Sequence, residues 1–249
     1  MFSFLFKSGK ALPDLSFIEV DMHSHLLPGL DDGLQTMEQT IEFVQQLEKL
    51  GYKKLICTPH ILSDVHPNSK ETILPKLDLV RAALQQEGIK MEIDAAAEYM
   101  IDHEFEQKVT AAQKRDDLLT IAKNYILVEM SYLAPSPNYE KVLFDLRMLG
   151  LTPILAHPER YSFYHRNFGQ YERFKELGCK LQVNLLSLSG GYGPDVKKVA
   201  EKLIKNDMVD FLGTDMHHER HLKALQDLVQ RKDFHQLVAN IKLKNKLLL

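Results

Sequence analysis

Two pairs of metal-ligating residues share one spacing in this chain: His23 and His25 in DMHSH, and Asp215 and His217 in TDMH. Side chains two positions apart on an extended strand share a face, so each pair can present two donors to one cation. Neutral imidazole and carboxylate are common ligands of zinc, manganese and iron, and one pair supplies half of a four-coordinate shell. The remaining donors must come from elsewhere in the chain. A lone histidine among the eleven here is more often a satisfied core or surface group, but the spacing recurs at the ends of two apolar runs, which argues against that reading.

Bringing distant donors together takes a scaffold of strand ends. Short apolar runs alternate with longer stretches of helical periodicity, the pattern of a parallel α/β protein. Strands are expected at residues 17–21, 54–58, 91–96, 125–128, 152–156, 180–184 and 209–213, seven in all. After the first, Thr36 and Gln39 form a capping box for a helix that Gly51 stops, with Ile41, Val44, Leu47 and Leu50 as its buried stripe. Further helices are expected at residues 70–86, 138–149, 167–177, 194–206 and 219–230. No linker, low-complexity tract or charge block divides residues 1–249, so a single domain is expected.

Parallel barrels place their chemistry at the C-terminal ends of the strands. His23 and His25 follow the first expected strand, His60 the second and Glu98 the third; Glu129 ends the fourth, His157 the fifth, and Asp215 and His217 follow the seventh, while the sixth ends in Asn184. These five histidines and three carboxylates, joined by Asp31 or Asp32 from LDDG, exceed what one tetrahedral zinc requires, so two or three ions are expected. Such a cluster favours an anionic substrate, a phosphate above all, and a deprotonated water. Glu98 and Glu129 each follow an apolar run, where an unpaired charge is costly; Glu104, Glu106 and Asp117 read as solvated or capping groups. In LDDG a turn competes with ligation, and Asp32 is taken as the ligand. Arg160, in HPERY, can offer its planar fork to phosphate, the competing reading being a surface ion pair with Glu159. Arg220, three positions beyond His217, is a weaker version of the same idea.

Composition excludes several classes. Apolar residues make up 45% and charged residues 26%, as in soluble globular proteins. A net charge of −3 offers no basic footprint for nucleic acid. Two cysteines, Cys57 and Cys179, are too few for a disulfide scaffold and suit a reducing cytoplasm. Neither supports a thiol phosphatase: six positions on, where a phosphate-loop arginine belongs, stand Ser63 and Leu185, and Cys57 reads as core. The N-terminal MFSFLFK is too short to span a bilayer and is expected to pack on the body or on a partner. The C-terminal IKLKNKLLL is expected as a frayed last helix.

Taken in order, DMHSHLLPGLDDG, TPH, AAAEY, LVEM, PILAHPERY and GTDMH resemble the polymerase and histidinol phosphatase superfamily. Within it they resemble the bacterial metal-dependent tyrosine-protein phosphatases of capsule and exopolysaccharide operons. The resemblance implies a distorted seven-stranded, TIM-like (βα)7 barrel with three metal ions, commonly manganese, with iron, zinc or magnesium as alternatives. It assigns His23, His25, Glu98 and Asp215 to one ion, Glu98, Glu129 and His157 to a second, and Asp32, His60 and His217 to a third. The implied reaction is hydrolysis of phosphotyrosine by metal-activated water, on a protein such as a polysaccharide-export tyrosine kinase, with oligomers compatible. The family often carries a second phosphate-binding arginine five residues after the last histidine; position 222 here is Leu, and Arg220 is the nearest substitute. Competing readings are a small-molecule phosphatase such as one for histidinol phosphate, an amidohydrolase, and a module that binds phosphorylated tails without cleaving them. The amidohydrolases commonly bridge their metals with a carboxylated lysine after the fourth strand, where this chain has Glu129.

Overall fold

The computed structural model describes residues 14–249; the MFSFLFK segment lies outside them. In chain order the elements are β1 (Val20–Asp21), α1 (Met37–Lys49), β2 (Lys54–Cys57), β3 (His60–Ile61), α2 (Lys70–Gln86), β4 (Glu92–Ala95), β5 (Glu98–Met100), α3 (His103–Ala111), β6 (Tyr125–Glu129) and α4 (Tyr139–Met148). They continue with β7 (Thr152–Ala156), α5 (Gly169–Glu176), β8 (Lys180–Asn184), α6 (Leu185–Ser189), α7 (Pro194–Lys205), β9 (Phe211–Gly213), α8 (Glu219–Val229) and α9 (Lys232–Val238), then a 3-10 turn, Asn245–Leu248. Every pairing between these strands is parallel, in one sheet of order β1-β2-β4 and another of order β3-β5-β6-β7-β8-β9.

Two of the seven expected strands are each followed, past a two-residue break, by a further short strand that was not expected. After β2 the chain bends at Thr58 and Pro59, where proline has no N–H for a ladder, and resumes as β3; after β4 it bends at Ala96 and Ala97 and resumes as β5. The segments stay in step, since Ala96 N donates to Cys57 O at 2.8 Å and Glu98 N to Pro59 O at 3.2 Å. The first expected strand is shorter than residues 17–21, because Ser16, Phe17 and Ile18 form a turn closed by Ile18 N on Leu15 O at 2.9 Å.

Alternation along the strands explains how both sheet faces are buried. Ile56, Leu127, Ile154, Ala156 and Phe211 point into a small apolar cluster with Val20 and Met22. Their neighbours Leu55, Cys57, Val128, Leu155 and Leu212 point into a larger cluster shared with the helices. Strands covered on both faces carry continuous apolar runs, the signal that located them in the sequence. The capping box of α1 forms as expected, with Gln39 N donating to Thr36 Oγ1 at 3.3 Å and Thr36 N to Gln39 Oε1 at 3.1 Å. Its buried stripe is Thr40, Phe43, Val44 and Leu47, with Ile41 and Leu50 only half-buried.

The C-terminal segment is not a frayed helix. Asn245 is fully buried, and its side chain donates to Val20 O at 2.8 Å and Leu212 O at 2.7 Å while accepting from Leu212 N at 3.1 Å. One amide thus joins β1 to β9. Leu248 is buried in the small cluster beneath. Farther along the same pair of strands, Ser24 bridges Met216, His25 N donates to Met216 O at 2.9 Å and Asp215 N to His23 O at 2.8 Å.

Candidate metal centre

The structure gathers the expected donors at one end of the strands. His23 and His25 follow β1, His60 opens β3, Glu98 opens β5, Glu129 closes β6, His157 follows β7, and Asp215 and His217 follow β9. Asp32 reaches in from the loop after β1. His157 and Asp215 take left-handed backbone conformations, with φ of 34° and 51°. Such conformations are uncommon away from glycine, although Asp and His adopt them more readily than most residues; Glu19, Ala122, Lys123 and Asp207 share them elsewhere in the fold. Two glycines let the backbone crowd the histidines: a Cβ at Gly33 would lie 2.2 Å from His25 O, and one at Gly213 would lie 2.8 Å from the His23 Cβ.

Four donors form a compact set. His23 Nε2 lies 3.1 Å from Glu98 Oε2, 3.3 Å from His25 Nε2 and 3.4 Å from Asp215 Oδ1; His25 Nε2 lies 3.4 Å from both carboxylates. Two donors about 2.1 Å from a common ion at a tetrahedral angle stand about 3.4 Å apart. The spacing is therefore that of ligands sharing one cation. Glu98 faces two ways, its Oε2 toward His23 and His25 and its Oε1 toward His157 Nε2 at 3.0 Å. His60 does likewise. Its Nδ1 lies 2.9 Å from Glu129 and 3.2 Å from Glu98 with a hydrogen bond to neither, and its Nε2 lies 3.6 Å from Asp32. Asp32 also lies 3.4 Å from His217 Nε2, and His157 Nε2 lies 3.8 Å from Glu129. The geometry thus groups His60 with Glu98 and Glu129 as well as with Asp32 and His217.

Hydrogen bonding fixes which nitrogen faces the cluster. The Asp215 carboxylate can only accept, so the Asn184 amide donates to its Oδ2 at 2.7 Å and turns Oδ1 toward Gln182. Gln182 Nε2 then donates to Asn184 at 2.8 Å, leaving Gln182 Oε1 to accept from His23 Nδ1 at 2.8 Å. His25 Nδ1 is engaged by Asp31 Oδ2 at 2.7 Å, and His217 Nδ1 donates to Asp215 O at 2.9 Å. Both Nε2 lone pairs of His23 and His25 consequently face each other in a place without solvent. Only a cation or a proton between them makes that arrangement favourable. In the metal-free chain protons take the role: burial opposes the charge, yet Glu98 and Asp215 raise the His23 pKa, and Asp31 with Asp215 raises that of His25 well above its usual value. Burial works against charge on Glu98 too, but the His23 and His60 imidazoles hold it well below the usual carboxylate range. The donor set fits metal ions.

Asp31 and Asp32 have separate duties. Asp31 is buried, binding His25 and accepting from Gly33 N at 3.0 Å and His60 N at 3.0 Å, whereas the Asp32 side chain is 61% exposed and faces His60 and His217. Arg160 lines the cleft, with Nη1 3.1 Å from Asp215 Oδ2. Its expected rival partner is occupied elsewhere: Glu159 is buried and accepts from Asn184 N at 2.9 Å and Ser187 Oγ at 2.6 Å. Arg220 is exposed on the first turn of α8 and does not line the cleft; His218 and His221 from that region do. The expected contact fails because the helix turns position 220 outward, and Leu222 is buried. Sequence reasoning passed over Gln182, Tyr132 and Tyr192. For Gln182 a signal existed, since it shares a strand face with Asn184 two positions on. Both cysteines are buried, and burial pushes each thiol up to about 12, which leaves them inert.

A model of the capsular polysaccharide synthesis family CpsB/CapC matches residues 19–248. The chain belongs to that family. Among CpsB/CapC relatives, the tyrosine-protein phosphatase YwqE of Bacillus subtilis is 28% identical over 199 residues, covering 80% of this chain and 77% of the relative. The tyrosine-protein phosphatase CpsB of Streptococcus pneumoniae is 23% identical over 222 residues, covering 86% and 90%. A solved structure described with YwqE from Bacillus subtilis and CpsB from Streptococcus pneumoniae as metal-dependent tyrosine phosphatases superposes with a TM-score of 0.76 at 26% identity, covering 92% of this chain and 94% of that one. Histidinol phosphate phosphatase from Lactococcus lactis, solved with zinc, L-histidinol and phosphate, matches at a TM-score of 0.50 and 14% identity over 90% of this chain and 94% of that one, a likeness of fold.

Proposed function

We propose that this CpsB/CapC chain is a metal-dependent tyrosine-protein phosphatase that hydrolyses phosphotyrosine, with a tyrosine kinase of polysaccharide export as its substrate in the cytoplasm. The observation that carries the reading is the tetrad of His23, His25, Glu98 and Asp215, with Arg160 held against the outer oxygen of Asp215. The fold is read as a distorted seven-position barrel, β2 with β3 and β4 with β5 each counting once, closed where Ser24 meets Met216. The ligand set is His23, His25, Asp32, His60, Glu98, Glu129, His157, Asp215 and His217, for three ions, manganese being our assignment.

Bound divalent ions supply charge neutralisation and lower the pKa of water toward neutrality. The chain's own part is placement. Glu98 spans two donor groups, so it fixes their separation. Gln182 and Asn184 hold His23 and Asp215 in the ligating orientation. Arg160 spends one N–H on Asp215 and presents the rest to the cleft, where charge-assisted bonds to phosphate oxygens hold the ester through the reaction. The buried thiols take no part, so no covalent enzyme intermediate is needed.

His23→Ala and Asp215→Ala should each lose both hydrolysis of a phosphotyrosine peptide and bound metal by elemental analysis; full activity in either variant would refute the metal mechanism. Histidinol phosphate assayed alongside tests the substrate class. Faster turnover of the small ester would end the protein-substrate reading.

A further inference from the structure

Arg160 is gripped from several sides. Its guanidinium carbon lies 4.5 Å from the centroid of the Tyr132 ring and 4.2 Å from that of the Tyr192 ring, while Nη1 holds Asp215 at 3.1 Å. Its backbone is pinned as well, because the 3-10 turn Pro158–Arg160 is anchored to α6 through the buried Glu159 and Ser187. The two tyrosines come from different loops. Tyr132 stands in the loop between β6 and α4, with its hydroxyl 3.4 Å from His157 Nε2. Tyr192 stands in a GGYG stretch after α6, where Gly190 and Gly193 take φ of 91° and 98°, conformations that let the loop bring the ring back over the cleft.

We propose that Tyr132 and Tyr192 are positioning residues that hold Arg160 edge-on to the cleft, so that a phosphate meets the in-plane N–H groups of an arginine already fixed for it. The inference rests on the phosphatase reading above. An arginine side chain loses several rotatable bonds of freedom when it grips an anion. Rings against its faces remove that freedom before the anion arrives, and they cover the faces from which an anion cannot be bound. A tyrosine has only two side-chain torsions to fix, and both its ring and that of phenylalanine attract a guanidinium. The stacking therefore needs the ring and not the hydroxyl, which separates this role from a proton-transfer role for either tyrosine.

Inorganic phosphate serves as the probe, as a competitive inhibitor of p-nitrophenyl phosphate hydrolysis by the metal-loaded protein. Tyr132→Ala combined with Tyr192→Ala should raise the phosphate Ki and the KM roughly five- to tenfold, the range of a partly desolvated cation–π contact. The paired Tyr→Phe variant should stay within about twofold of the parent. Metal content should be unchanged in both, and both should melt in one cooperative transition, the Tyr→Ala pair at a lower temperature because it loses packed rings. In an Arg160→Ala background, itself weakened toward phosphate, the two Tyr→Ala changes should add nothing. A Tyr→Ala pair that binds phosphate as the parent does, or that weakens it equally without Arg160, would overturn the clamp while leaving the phosphatase reading in place. Parent-like phosphate binding by Arg160→Ala would overturn the clamp and the phosphate role of Arg160 together. Absence of hydrolysis by the loaded parent is a different failure, that of the phosphatase reading itself.

Discussion

At the scale of single residues, one acceptor dictates a chain of orientations. Asp215 cannot donate, so Asn184, Gln182 and His23 each have only one satisfactory hydrogen-bonding direction, and the last of them bares the nitrogen that faces Glu98 and His25. Outer partners of this kind typically contribute a factor of about 10–100 in metal affinity. Gln182→Leu and Asn184→Ala are therefore expected to weaken metal binding by about that factor while the fold persists. Competition against a chelator of known affinity measures it, and parent-like affinity in both variants would show that the histidine and carboxylate orient themselves without help. Most of the proposed donors were readable before any coordinates, because they stand just beyond apolar runs, whereas Asp32 lies in a turn-forming LDDG. Gln182 was hidden by ordinary bookkeeping: KLQVN reads as a strand whose polar positions belong to solvent. The one cue was the strand face it shares with Asn184, and burial on both sheet faces turns that cue into a requirement for a partner.

At the scale of elements, the seam between β1 and β9 is closed by a side chain standing in for a strand. Asn245 makes three hydrogen bonds to backbone groups of the two strands in a fully buried position. Leaving those groups unpaired costs about 1–3 kcal/mol for the worst of them. Asn245→Ala should destabilise the protein by about 3 kcal/mol, a drop on the order of 10 °C in thermal midpoint for a chain of this size. A shift under about 2 °C would mean that water enters and replaces the amide. Strand and helix positions were legible because apolar runs and caps are local signals. The short strands β3 and β5 were not, since a strand that resumes just past a bend depends on the neighbouring strands. Nor was the tail, where Lys and Leu are mixed while the decisive contact of Asn245, with Val20, lies far away in sequence.

At the scale of the whole molecule, metal and proton compete for the same nitrogens. Burial alone would lower the His60 pKa, but Glu98 and Glu129 raise it from 6.5 to about 9 in the metal-free chain. A raised value means that this proton stabilises the metal-free fold fully below 6.5 and ceases to do so as pH climbs through about 9. The loaded protein needs the nitrogen bare, so its apparent metal affinity rises over the same window. The gap between loaded and metal-free thermal midpoints should accordingly widen from pH 6.5 to 9, read by paired melts across that range. A constant gap would show that His60 keeps its proton when metal is present. The seam also sets an order of events during synthesis. Val20 waits for an amide 225 positions downstream, so a nascent chain halted before that point leaves the ribosome with an unsealed strand edge over an apolar floor. Chaperones and proteases recognise such a state, and message truncations late in the reading frame should be cleared as thoroughly as early ones.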